Sequence, residues 1–173
     1  MNTSNDQPLV VYGTKVSYFT GKLENYLRYK EIPYEHIPMS TLKIQSEIRK
    51  NLGVIQVPNV KLPDGSWMTD TTPMIQWFEE KYPDGPIIPS DPEQVFFCLL
   101  LEDYADEWLW RPAMHYRWHY QRDALSLSRF LSEDVFAALP FPKWIRRFIV
   151  RFRQRHIFTV GDGIHERKIQ GLD

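Results

Sequence analysis

The stretch Val57-Pro58-Asn59-Val60, running on to Trp67-Met68-Thr69-Asp70-Thr71-Thr72-Pro73-Met74, constrains the fold more than any other part of the chain. An apolar residue precedes a proline, and two short β-like runs flank a Pro63-Asp64-Gly65 turn. Asp70, Thr71 and Thr72 then offer capping oxygens, and Pro73 suits a first helical turn. The pattern predicts a hairpin over 57–69 that hands over to a helix over 73–82. N–H groups of a first turn point out of the helix, so this junction is a natural anion site. A proline opening a strand is unusual unless its missing N–H is useful. A cis bond there leaves the backbone of the preceding residue free to pair with a bound peptide.

The flanking sequence completes a layer around that junction. Residues 9–12 are an apolar run that reads as a buried strand. Phe19, Leu23, Tyr26 and Leu27 recur at helical spacing within 18–30, and Pro33 ends the element. Residues 34–37 read as a second strand, and Leu42, Ile44, Ile48 and Leu52 as a helix closing near Gly53. Strand, helix, strand, helix, hairpin and helix give an α/β layer of thioredoxin type over residues 1–83, with 1–7 polar and frayed. A proline-rich linker spans 84–91, and Asp91-Pro92-Glu93-Gln94 opens a helix. Residues 95–101 are apolar all round, which predicts a helix buried on most sides with Cys98 in its core. It continues to Trp108 and bends near Pro112 before residues 114–120. No strand-like alternation follows, so region 92–173 is all-α.

Composition removes several classes of function. A formal net charge of −1 offers no general attraction to nucleic acid, and no nucleic-acid motif is present. A lone cysteine excludes an internal disulfide framework and fits a reducing, cytoplasmic setting. No signal-peptide order and no apolar run near the ~20 residues of a membrane span are seen.

Three pieces, in order, resemble the glutathione transferase family. They are Tyr12-Gly13 with Ser17-Tyr18-Phe19-Thr20-Gly21-Lys22-Leu23, then Gln56-Val57-Pro58, then Asp70-Thr71-Thr72-Pro73-Met74. They look like the family's first strand and catalytic turn, its cis-proline motif, and its acidic-hydroxyl pair, and they lie within the first 90 or so residues. The resemblance implies a glutathione-binding, thioredoxin-like N-terminal domain joined to a helical domain, with glutathione as co-substrate, a homodimer, and no metal. It implies that Val57 pairs with the cysteinyl backbone beside a cis Pro58, and that Gln56 contacts the ligand. Asp70 would take the γ-glutamyl ammonium and Thr71 the carboxylate. The family's helical domain is usually larger. Thr159-Val160-Gly161-Asp162 has the spelling of its hydroxyl-x-x-Asp cap, but Gly163-Ile164-His165-Glu166-Arg167-Lys168 is too polar for the core helix expected next. The helical region therefore reads as truncated.

The turn after the first strand would carry the chemistry. Thioredoxin-like folds place their reactive group at the start of the first helix, where the dipole favours a thiolate. Redox members use Cys-x-x-Cys there; this chain has Ser17-Tyr18-Phe19-Thr20, so dithiol exchange cannot run on it. A hydroxyl can instead donate to the sulfur of glutathione. Ser17 is the first choice, with Tyr18, Tyr12 and Thr20 as alternatives, and a plain helix cap remains the competing reading for Ser17. Capping alone would likewise account for Asp70 and Thr71.

Other features have simpler readings. His115 and His119 stand at half-metal-site spacing without a third ligand, so pocket lining is preferred. Trp108, Met114, His115 and Trp118 are the candidate acceptor-pocket residues. Glu102, Asp103, Asp106 and Glu107 read as a solvated face or as partners of Arg111 and Arg117. Residues 143–156 carry six Lys and Arg with no acid, and Trp144, Ile145, Phe148, Ile149 and Phe152 share a face. Contact with an anionic membrane surface is one reading; inward packing of that face with arginines outward is preferred. Two functions follow: a transferase activating the glutathione thiol toward a small apolar electrophile, or a non-catalytic binding or assembly module resembling metaxin-type adaptors, suggested by Lys22-Leu23-Glu24 and Tyr26-Leu27-Arg28.

Overall fold

The computed structural model describes residues 8–161. The cap spelling at 159–162 runs past that limit at Asp162, and residues 1–7 and 163–173 lie outside the described residues. The chain divides into two compact units, the first comprising residues up to Ile87 together with Glu133–Ala138.

The first unit is built on a four-stranded sheet in the order β2-β1-β3-β4. Its strands are β1 (Leu9–Gly13), β2 (Tyr34–Pro38), β3 (Asn59–Lys61) and β4 (Trp67–Thr69). β1 pairs parallel with β2 and antiparallel with β3, which pairs antiparallel with β4. The parallel pair needs a crossover, supplied by helix α1 (Tyr18–Tyr29). Alternation along β1 sorts its side chains between the two faces. Leu9 and Val11 join Leu23, Leu27, Val60 and Phe78 under α1 and helix α3 (Thr71–Lys81). Val10 and Tyr12 face Met39 and Ile48 on the side of helix α2 (Leu42–Leu52). Val11, Leu23, Leu27, Val60, Met74 and Phe78 are fully buried, each contributing about 1.5–3 kcal/mol relative to exposure. The expected helix closure near Gly53 is observed, with Gly53 in the left-handed region (φ 76°) that glycine tolerates. The helix expected from residue 73 starts two residues earlier, at Thr71, because Asp70 is the cap.

A polar network closes the edge of this unit. Lys30 Nζ lies 2.9 Å from Glu79 Oε1, with its side chain 1 % exposed, and donates to Asp84 O at 2.8 Å. Glu79 also accepts from the Tyr26 hydroxyl at 2.8 Å and from Ile87 N–H at 2.9 Å. The 84–87 segment is thus held by paired, hydrogen-bonded charges.

The second unit is helical: α4 (Pro92–Asp103), α5 (Trp110–His119), α6 (Gln121–Asp134, whose last two residues fall in the first unit) and α7 (Lys143–Arg155). Asp91 caps α4 as its sequence predicts, accepting from Gln94 N–H at 3.0 Å. The expectation that 95–101 is buried is overturned. No residue of α4 is buried, Phe96 and Leu101 are 60 % and 65 % exposed, and Cys98 is exposed rather than core. An all-round apolar helix has no preferred face, so its sequence does not say which side its neighbours cover. The irregularity expected near Pro112 sits earlier, as a π-helical turn over Tyr104–Trp108 closed by Leu109 N–H to Tyr104 O at 3.1 Å. Pro112 cannot donate to the carbonyl of Trp108 and its ring crowds it, which a widened turn accommodates.

α7 also reverses its expected orientation. Val150 and Gln154 are buried, while Trp144, Phe148 and Phe152 are 72 %, 59 % and 68 % exposed. Arg146, Arg147 and Arg151 bury their Nε nitrogens. Arginine stems can cover apolar surface as aromatics do, so amphipathic spacing fixes two faces without fixing which one turns inward. Among the described residues no helix is long and apolar enough to cross a membrane.

Candidate functional site

Strand register gathers the site at one end of the sheet. Tyr12, Asn59 and Thr69 form one row across β1, β3 and β4. At ~4.8 Å between strands that row spans about 10 Å. Gly13, Pro58 and Asp70 each stand one residue beyond it. The turn leading to Ser17, the Val57–Pro58 bond and the start of α3 therefore emerge side by side.

The Val57–Pro58 peptide is cis. Val57 is half-buried, Pro58 is buried, and the backbone N–H and C=O of Val57 make no hydrogen bond with the described residues. Two side chains hold this loop. Asn59, fully buried, donates from Nδ2 to Gln56 O, and Gln56 Nε2 donates to Thr69 Oγ1 at 2.9 Å. Asn59 was missed in the sequence reading. A polar residue directly after the proline, opening an otherwise apolar strand, was the signal.

Asp70 caps α3, accepting from Thr72 N–H at 3.2 Å. Its φ of 73° is in the left-handed region, uncommon for a non-glycine residue and concentrated at functional sites. Met74 N–H donates to Asp70 O at 3.2 Å, and Pro73 has no N–H. Thr71 N–H is thus the donor of the first turn with no partner among the described residues.

Ser17 is the N-cap of α1. Its Oγ accepts from Thr20 N–H at 3.2 Å, and its own N–H closes the Thr14–Ser17 turn on Thr14 O at 3.1 Å. The cap uses Oγ as an acceptor and leaves the hydroxyl proton available to donate. Ser17 is half-buried. Tyr18, also half-buried, packs against Phe19 at 4.1 Å between ring centroids.

Two alternatives to Ser17 are buried. Thr20 is 1 % exposed, with its hydroxyl buried against Gly13. Tyr12 lies on the α2 face, stacked on Trp67 at 5.2 Å and 8 % exposed; burial, then Glu47, raises its phenol pKa above the ordinary value. The candidate acceptor residues also separate. Met114 and Trp118 are in the core of the helical unit, whereas Trp108 is 62 % exposed. His115 stacks on His119 at 4.6 Å, and burial followed by the His119 charge lowers its pKa. Arg111 lies over the Trp110 ring rather than beside the acids. Among the described residues no group of three or more His, Cys, Asp and Glu could hold a metal ion.

Residues 11–86 match the glutathione S-transferase N-terminal domain. No curated protein matches this sequence. Solved structures give the same fold at low identity. The Tau class glutathione S-transferase from mango, Mangifera indica, is 17 % identical with a TM-score of 0.55, covering 91 % of this chain and 80 % of its own. A glutathione transferase homolog from Sulfitobacter, with bound glutathione, is 16 % identical with a TM-score of 0.53, covering 93 % and 86 %. A glutathione S-transferase from Methylobacterium radiotolerans, in complex with glutathione sulfonate, is 20 % identical with a TM-score of 0.45 over 86 % of this chain; the chain spans 64 % of that protein's length. Over residues 11–86 the chain is thus similar to the N-terminal domain of glutathione S-transferases, and it shares their fold.

Proposed function

We propose that the first unit binds glutathione across the row of strand ends and activates its thiol toward a small apolar electrophile. The observation that carries this reading is the grouping of an unpaired Val57 backbone, an unpaired Thr71 N–H and the Ser17 hydroxyl at one end of the sheet. Glutathione offers a complement to each. Its cysteinyl amide pairs with Val57, and its γ-glutamyl carboxylate takes the Thr71 N–H and hydroxyl at the positive end of α3. The ammonium faces the Asp70 carboxylate, while Gln56 braces the loop through Thr69. The bound glutathione of the Sulfitobacter neighbour supports the ligand's identity.

The thiol then faces the start of α1. A free thiol near pKa ~8.5 is only a few per cent ionised at pH ~7, and a drop of roughly 1.5 units makes it mostly thiolate. The Ser17 hydroxyl donates to the sulfur, the proton leaves to solvent, and the thiolate attacks the electrophile. A homodimer in a cytoplasmic setting belongs to the same reading, supported by the family and the single cysteine. The Ser17–Thr20 bond also suits a binding module without turnover, which a conjugation assay separates from an enzyme. Calorimetric titration of glutathione into the wild type and Asp70→Asn tests the binding site. The amide keeps the cap and removes the charge, so affinity should fall at least about tenfold, about 1.4 kcal/mol, with the thermal midpoint little changed. Equal affinities contradict the assignment.

A further inference from the structure

The turn that presents Ser17 is held by a residue far along the chain. Thr14–Ser17 is closed by one backbone bond, and the N–H of its corner residue, Lys15, donates to Asp134 Oδ2 at 2.9 Å. Next to it, the carbonyl of Val135 accepts from Gln45 Nε2 at 3.4 Å, and the same amide donates to Met39 O at 3.0 Å. Residues 133–138 belong to the first unit, so both bonds lie within it. Neither the cap nor the turn requires them: α1 is capped by Ser17 itself, and the turn already has its closing bond. Small displacements of a reacting group are costly, so the geometry of this turn bears on the chemistry.

We infer that Asp134 is a positioning residue for the Ser17 hydroxyl, acting through the Lys15 N–H. The inference rests on the glutathione reading above. It makes the acceptor oxygen, rather than the charge, the working part of the side chain. Asp134→Asn keeps an oxygen for the Lys15 N–H, whereas Asp134→Ala removes it.

The test follows the ultraviolet absorbance of the thiolate of bound glutathione against pH, in wild type, Asp134→Ala and Asp134→Asn. In the alanine variant the bound thiol's pKa should rise by roughly half a unit or more, while glutathione affinity stays within about threefold. The asparagine variant should stay at or below the wild-type value. A lowered thiol pKa in the wild type that Asp134→Ala leaves unmoved overturns the inference alone, as does an equal rise in both variants. Glutathione bound with its thiol at the free value overturns the Ser17 reading and this inference with it. Amide exchange of the wild type supplies a measurement independent of variant folding: Lys15 N–H should be protected at least about tenfold, and an unprotected amide overturns the inference.

Discussion

Gly13 joins β1 to the turn of Ser17, and replacing it with alanine gives a sharp test of the packing there. The added Cβ would lie 2.5 Å from Thr20 Cγ2 and 2.8 Å from Thr20 Oγ1, with Thr20 Cβ at 3.3 Å. Ordinary carbon contacts lie at about 3.5–4.0 Å, so the overlap is about 1 Å. Thr20 is a short β-branched side chain, 1 % exposed and in the first turn of α1, so it cannot swing clear without moving the helix start. Overpacking of this kind costs about 1–3 kcal/mol, and we expect about 2 for Gly13→Ala. Thr20→Ala alone should cost about 1 kcal/mol for its buried methyl. Its hydroxyl has no hydrogen-bond partner to lose. The double variant removes both clashing atoms and leaves only the 3.3 Å contact. It should therefore be about as stable as Thr20→Ala, giving a coupling of about 2 kcal/mol. Denaturant unfolding of the four proteins measures this, and the single Gly13→Ala change should also lower the thermal midpoint by roughly 4–8 °C. Glutathione affinity should fall in Gly13→Ala and recover in the double variant. Additive costs, within ~0.5 kcal/mol, would refute the argument that Gly13 is needed for closeness to Thr20.

Three further outcomes follow from the same geometry. Ser17→Ala removes the cap on Thr20 N–H and should cost about 0.5–2 kcal/mol of stability; conjugation of a chromogenic electrophile should fall well beyond any change in glutathione affinity, and unchanged turnover would leave Ser17 as a cap only. Lys30→Met strands Glu79 in its buried network and should cost about 3 kcal/mol, with Lys30→Met/Glu79→Gln partly restored by denaturant unfolding. The pKa of His115 is depressed in the folded chain, so its stabilising contribution is present above the ordinary histidine value and is lost as pH falls through the folded one. Thermal midpoints should therefore drop on acidification below about pH 6.5, and less steeply in His115→Gln.

The first unit was legible because its signals are local and mutually consistent. Short apolar runs, apolar residues at helical spacing such as Phe19, Leu23, Tyr26 and Leu27, the capping residues Ser17 and Asp70, and Gly53 after a helix each specify one conformation. The cis Pro58 was implied by the resemblance that Gln56-Val57-Pro58 carries, and the junction at Asp70 followed from capping residue types at fixed spacing. Orientation was not legible. α7 has a clear apolar face, yet the structure turns it outward, because a helix's own sequence records two faces and not its neighbours. The same holds for α4 and Cys98. Within the site, proximity in sequence did not show that Thr20 and Tyr12 are buried, and Asp134 carried no local sign of reaching Lys15, 119 residues away.

The central claim is that one ligand spans three separate pieces of backbone. Glutathione titrated into isotope-labelled protein, followed by amide chemical shifts, tests it most directly. The account predicts that the Val57, Thr71 and Ser17 amides shift together along one saturation curve, and that Asp70→Asn moves that curve to higher concentration. Saturation that leaves any of the three amides unmoved, or shifts confined to residues elsewhere in the chain, would contradict it.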